Sequence, residues 1–460
     1  MRAEDGLDDD DIIVPLELGP CELSDWPTGF PAAPSELECG RLNVPVLNAE
    51  PAGARTSIFV ARQRSRAFPS GKAVFQLAGG PGGSAVSQSG IIELLMPGLL
   101  DEHDLVYVDQ RGTGYSGYLE CPGGFPELRD EWQRCADALA ELPLEGFGSV
   151  EAAHDVDRVR RALGYSSLSL RGGSYGTRVG LEVLRQHGDV VDAAALDGVD
   201  PPDNDFFGWT LQKTNVGIEL LLTDCTADPA CVAVAPDLRA DVESRRAALA
   251  TAPRPIRVSG AADVEDDGLF VLALGCLVED SYWRSRVPRA VHFAAAGDHD
   301  LWNGLLSELF GVSVVDRADL AGSYVAPGLY TIVNCTESLP NAGGLDRLRT
   351  IAATLQWGDG HLLELAEACA ALPALPIDDD LFAPVASEVP TLLLSGAAEI
   401  QTPPALSTLT NARHVIIPHA THSTMVTPCG ASLIEAFLQS GGDVAGLDAS
   451  CVQEVATPAW

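Results

Sequence analysis

Leu168-Ser-Leu-Arg-Gly-Gly-Ser-Tyr-Gly176 is the stretch on which the reading of this sequence turns. A short apolar strand pattern leads into Gly-x-Ser-x-Gly at residues 172–176, and a helical pattern leads out to about residue 187. Small residues on both sides of a serine allow a strained strand-to-helix turn that lifts the hydroxyl off a sheet. The pentapeptide occurs once in the chain. Ser174 is therefore the expected nucleophile.

Working outward, strand and helix alternate. Ala73-Val-Phe-Gln-Leu77 and Leu105-Val-Tyr-Val108 read as strands, as does Ala193-Ala-Ala-Leu-Asp197, and a helical pattern over 149–163 precedes the serine strand. Upstream, Leu42-Asn-Val-Pro-Val46 and Thr56-Ser-Ile-Phe-Val60 flank a Pro/Gly/Ala turn, which predicts an antiparallel hairpin at a sheet edge. From 202 to 384 apolar residues recur mostly at helical spacing, as in Val216-Gly-Ile-Glu-Leu-Leu-Leu222. Strands resume at Val389-Pro-Thr-Leu-Leu-Leu-Ser395 and His414-Val-Ile-Ile-Pro418, and a helix closes the pattern over 430–439. Apolar strands alternating with amphipathic helices imply a mostly parallel, twisted sheet flanked by helices. With the serine turn, this predicts the α/β-hydrolase fold carrying a large, mainly helical cap inserted before the late strands. The expected organisation is an acidic leader at 1–20, core over 21–201, cap over 202–384 and core again over 385–460.

The composition fits an ordinary folded chain: 46% hydrophobic, 20% charged, 31 prolines in 460 residues. A net charge of -36, with Lys72 and Lys213 the only lysines, argues against nucleic acid as a partner. An acidic surface maintains solubility; the more specific alternative is that it attracts cationic substrates such as free peptide N-termini. No run of 18 apolar residues occurs, so no transmembrane segment is expected. Eleven cysteines fall into local pairs, with Cys276 left over: Cys21-Cys39, Cys121-Cys135, Cys225-Cys231, Cys335-Cys369 and Cys429-Cys451. None has zinc or redox C-x-x-C spacing, so no metal site is expected from them. Five disulfides point to an exported protein, secreted or at the periplasm or cell surface. The start, MRAEDGLDDDDIIVP, lacks the apolar core of a signal peptide, so the export signal is expected to be absent from this sequence.

A serine hydroxyl becomes nucleophilic when a histidine takes its proton and an acid orients that histidine. In this fold the chain order is serine, acid, histidine. Leu392-Leu-Leu-Ser-Gly-Ala-Ala-Glu399 places Glu399 just past a late strand, and His414, His419 and His422 follow. His414 begins a strand, which leaves His419 and His422 on the loop past Pro418. Leu77-Ala-Gly-Gly-Pro-Gly-Gly83 follows the first parallel strand, and its backbone N–H at Gly80 can face a developing oxyanion together with that of Tyr175.

Taken together, Gly79-Gly-Pro-Gly82, Asp109-Gln-Arg-Gly-Thr-Gly114 with Ser116, Gly172-Gly-Ser-Tyr-Gly-Thr177, Leu196-Asp-Gly-Val199, residues 396–403 and Ser281-Tyr-Trp283 resemble the secreted prolyl aminopeptidase and tripeptidyl aminopeptidase group of α/β-hydrolases. The likeness spans nearly the whole chain and extends to the cysteine pairs. It implies an exopeptidase with no cofactor, the histidine of Pro418-His-Ala-Thr-His422 as base, and Asp109 and Arg111 as structural braces. The sequence departs from the group in having Glu399 for aspartate, Ile400 for proline, Thr421 for glycine and Ala78 for a histidine.

An aminopeptidase needs a carboxylate for the substrate's α-ammonium. The expected one is Glu337 in Asn334-Cys-Thr-Glu-Ser338, held by a disulfide at Cys335. The resulting expectation is a monomeric, exported serine exopeptidase acting on peptides. A carboxylesterase on small esters or lactones would use the same triad, and a binding protein that lost turnover is the third alternative.

Overall fold

The computed structural model describes residues 15–23, 26, 31–124, 126, 129–258, 261–279, 281–313, 325–357, 360–376, 379–397, 399, 408–455 and 460. Most of the expected leader, and residues 400–403 with Ile400, lie outside these.

Nine strands form one sheet: β1 (Gly19–Pro20), β2 (Leu37–Pro45), β3 (Arg55–Gln63), β4 (Ala73–Leu77), β5 (Asp104–Val108), β6 (Leu168–Gly173), β7 (Val191–Asp197), and the late strands β10 (Thr391–Gly396) and β11 (Ala412–Ile417). Their order is β1-β2-β3-β5-β4-β6-β7-β10-β11. The six strands from β5 to β11 run parallel. β1, β2 and β3 add an antiparallel edge, with Leu42 opposite Ile58 in the expected hairpin. Every residue of β4, β5 and β10 is buried, as a sheet covered on both faces requires.

Helices Ser149–Leu163 and Tyr175–His187 cover one face through Val156, Val159, Val179 and Val183. Helix Pro428–Gln439 covers the other through Leu433, Ile434 and Phe437. The α/β-hydrolase fold read from the sequence is the fold of the molecule.

Between β7 and β10 the chain is mainly helical and carries its own core, in which Ile218, Leu222, Phe270, Leu274, Trp302 and Trp357 are buried. This stretch also contains an antiparallel pair, β8 (Arg254–Val258) with β9 (Ala261–Glu265). All five cysteine pairs are disulfides, with Cα atoms 4.7–5.6 Å apart. Cys276 stands outside them. Among the described residues, no helix is long and apolar enough to cross a membrane.

Candidate active site

Ser174 sits where β6 meets helix Tyr175–His187 with φ 53° and ψ −131°, a left-handed φ that non-glycine residues rarely adopt. The flanking glycines make the turn possible. A methyl group on Gly172 would stand 2.7 Å from the Gly176 carbonyl oxygen, and one on Gly176 only 2.4 Å from that of Leu77. Tight packing of strand, turn and helix thus lifts the serine hydroxyl over the ends of the strands.

His422 is the histidine that reaches it. Its Nε2 lies 2.8 Å from Ser174 Oγ, and its Nδ1 lies 2.5 Å from Oε1 of Glu399. Burial of the imidazole opposes its protonation, but the Glu399 charge and hydrogen bond outweigh that and raise its pKa above the ordinary value. Burial likewise raises Glu399, against the pull of His422. The second carboxylate oxygen of Glu399 is buried without a hydrogen-bond partner among the described residues. His414 stands apart on β11, its Nε2 2.6 Å from Ser395 Oγ. His419 occupies the left-handed region at φ 59°, in the turn that follows β11.

The sequence reading gave no role to Asp197, the last residue of β7. Its backbone carbonyl accepts the Ser174 N–H at 2.9 Å. Its carboxylate accepts the Thr424 and Met425 N–H groups at 3.1 and 3.0 Å, and the Thr424 hydroxyl at 2.6 Å. One residue therefore ties the serine turn to the segment just past His422. The neighbouring Gly198, at φ 64°, lets the histidine loop approach: a methyl group there would lie 2.5 Å from the His422 carbonyl oxygen. Leu196-Asp-Gly-Val199 carried this signal as part of the family likeness without indicating a role.

The glycine loop lies directly against the serine. A methyl group on Gly79 would fall 2.8 Å from Ser174 Cβ, and Gly80 and Gly82 adopt φ of 121° and 104°. The loop is clamped from the helical stretch, where Ala326 N–H donates to the Gly82 carbonyl at 2.8 Å. Tyr175 is the first residue of its helix, where N–H groups lack intrahelical acceptors and the helix dipole favours negative charge.

Asp109 accepts from Ser84 Oγ, Val86 N–H and Tyr115 N–H at 2.9–3.0 Å, all within the framework of this loop. Arg111 is fully buried and makes a two-point contact with Asp155 at 2.8 Å. Both braces stay within the protein.

Glu337 lies against the start of helix Ser149–Leu163. Its carboxylate caps helix Ser149–Leu163, accepting the Ser149 N–H and Oγ–H at 2.6 Å each, and Arg178 Nε lies 3.5 Å away. The Ser149 hydroxyl is also 2.9 Å from the Tyr175 phenol. Glu337 is 4% exposed, with both oxygens engaged by the protein. A buried carboxylate at a helix N-terminus satisfies orphan N–H groups. The carboxylate expected to meet a substrate ammonium is thus held by Ser149, whose hydroxyl also reaches the Tyr175 phenol.

From the helical stretch, the carbonyl of Glu279 accepts the His422 N–H at 3.3 Å, and the Glu279 carboxylate holds Lys213 Nζ at 2.7 Å. Sequence alone indicated no role for either, because they lie 66 residues apart (279 − 213) and carry no motif.

A serine, a histidine and a carboxylate in hydrogen-bonded series beside a glycine loop and a helix N-terminus form the arrangement used by serine hydrolases for acyl transfer. Residues 72–215 match the family model described as alpha/beta hydrolase fold. The serine protease Hip1 of Mycobacterium tuberculosis is 29% identical over 215 residues, a match covering 42% of this chain and 41% of Hip1. The tripeptidyl aminopeptidase of Streptomyces lividans is 26% identical over 346 residues, covering 66% of this chain and 61% of that protein. The chain thus spans less than two thirds of the length of these relatives. A solved proline iminopeptidase of Mycobacterium smegmatis aligns over 87% of this chain and 98% of its own, at a TM-score of 0.41 and 15% identity. The chain has the α/β-hydrolase fold, and it is similar to serine-protease and tripeptidyl-aminopeptidase relatives.

Proposed function

We propose that this protein is a serine exopeptidase that releases N-terminal amino acids or short peptides through an acyl-enzyme. The observation that carries the reading is the continuous series Ser174–His422–Glu399, at 2.8 and 2.5 Å. In this mechanism Ser174 Oγ attacks the scissile carbonyl carbon while His422 Nε2 accepts its proton. Glu399 orients the ring through Nδ1 and balances the imidazolium that forms. The Gly80 and Tyr175 N–H groups receive the negative charge on the former carbonyl oxygen. His422 then returns the proton to the leaving amine. Water, deprotonated by the same nitrogen, releases the acyl unit and restores the serine.

The preference for peptides is supported by the names of the relatives. The second reading, a carboxylesterase on small esters or lactones, draws on one observation: the Glu337 carboxylate is engaged by Ser149 within the protein. We further propose that residues 202–384 act as the cap over this site, that the chain works as a monomer, and that it is exported. Five disulfides support export.

A panel of aminoacyl and tripeptidyl amides, each with a free and an N-acetylated terminus, tests the exopeptidase reading. Cleavage of the free forms and sparing of the blocked ones is the expected result. Faster turnover of blocked amides or simple esters would transfer the protein to the esterase reading.

A further inference from the structure

Helix Phe206–Ala227 begins the helical stretch and presents Trp209 and Lys213 one turn apart, on the same side. Lys213 Nζ lies 4.7 Å from the centre of the Trp209 ring and 2.7 Å from Glu279 Oε2. Its side chain is 14% exposed, and that of Glu279 is 30% exposed. Such an ion pair is largely withdrawn from water and fixed in direction by the indole face. Glu279 is the residue that ends helix Asp267–Val278, where a cation also meets the negative end of the helix dipole. Its backbone carbonyl is the acceptor for the His422 N–H at 3.3 Å.

We propose that the Lys213–Glu279 pair is a positioning element of the active site, seating the helical stretch on the loop that carries His422 and fixing one positive charge beside that histidine. The inference rests on the reading of His422 as general base.

Charge around His422 gives the pair its chemical consequence. Glu399 and Glu279 both favour the imidazolium, and Lys213 opposes it. Asp197 raises Glu399 further, while Lys213 again acts in the opposite direction. Without Lys213, carboxylates would hold the proton on His422 at higher pH, and the ring would be a poorer acceptor for the serine proton under mildly acidic conditions. The two halves of the pair therefore have opposite electrical effects on the base, although they form one mechanical contact.

The test is the rate of Ser174 phosphonylation by a fluorophosphonate probe against pH, using the full chain and the variants K213M, K213R, E279Q and H422A. For K213M, labelling at pH 6 should fall by about three- to ten-fold more than labelling at pH 9, and K213R should restore the wild-type profile. E279Q should move the acidic limb the other way, to lower pH. E279Q also keeps the inference testable if K213M does not fold. Opposed shifts are not the signature of a merely structural contact. Limbs that stay put, or that move in the same direction in both charge-removing variants, overturn the positioning role while H422A still loses labelling. If H422A labels as fast as wild type at every pH, the general-base reading itself fails, and this inference with it.

Discussion

Oε1 of Glu399 lies 2.5 Å from Nδ1 of His422, while the other nitrogen of the same ring lies 2.8 Å from Ser174 Oγ. The group resembled here usually has aspartate at the Glu399 position, and the longer side chain nonetheless closes the series. Glu399 stands three residues past the last residue of β10, Gly396, and a methyl group on that glycine would lie 2.2 Å from the Ala420 carbonyl oxygen. The acid and histidine loops are thus pressed together at their bases. Replacing Glu399 with glutamine should lower kcat by about 10³–10⁴-fold with little change in KM, because the amide N–H can donate to Nδ1 and fix the wrong tautomer, and no charge balances the imidazolium. Replacing it with aspartate withdraws the carboxylate by one methylene and should cost about 10–100-fold. Steady-state kinetics on an ester substrate would read both, and an aspartate variant as slow as the glutamine variant would show that reach is not the issue.

The pH dependence follows from the same pair. His422 must be neutral to accept the serine proton, and its pKa is raised above 6.5 because the Glu399 charge outweighs burial. The acidic limb of kcat/KM should therefore have its midpoint above pH 6.5 in the wild-type protein. Glu399→Gln should move that midpoint downward, since the group favouring the charged ring is removed. A pH–rate profile on a substrate with no ionisable group near neutrality provides the measurement.

Glu337→Gln should act on stability and leave substrate choice alone. The amide presents an N–H group to two donors from Ser149 that now meet carboxylate oxygens, both at 2.6 Å. Losing one such buried acceptor costs about 1–3 kcal/mol. A urea titration should show that loss, while the rate ratio between free and blocked amides stays within about two-fold of wild type. A selective loss on free amides would return Glu337 to the substrate.

Acid sensitivity should come in part from a histidine pair remote from the triad. His154 Nδ1 lies 3.0 Å from His187 Nε2, and burial, followed by the neighbouring His187, pulls the His154 pKa down to about 4. The unfolded chain titrates near 6.5, so between these values it binds more protons than the folded one, and stability falls as pH drops through that window. His154→Gln should flatten the decline in melting temperature between pH 6.5 and 4. An unchanged decline would remove the pair from the account.

The parts of this molecule that were legible in the sequence are those fixed by local pattern. The turn around Ser174 announces itself because close packing of strand, turn and helix demands glycine at 172 and 176, and all-apolar runs such as β4 and β10 mark strands covered on both faces. The position of Glu399 after a late strand followed from chain order, whereas the choice of His422 over His419 needed a family likeness, since both share one loop. For Glu337, a disulfide neighbour says that a residue is held, not what it faces. Its partner Ser149 is 188 residues away, and no local pattern encodes a helix cap from that distance. Asp197 and the Lys213–Glu279 pair carry no local signal for the same reason: their contacts arise only when separate strands and helices converge on the histidine loop.

The most direct test is to treat the folded protein with a fluorophosphonate and locate the adduct by peptide mass spectrometry. The account predicts a single covalent adduct on Ser174, absent in Ser174→Ala and strongly slowed in His422→Ala. Folded wild-type protein that takes up no label, or takes it up on a different serine, would contradict it.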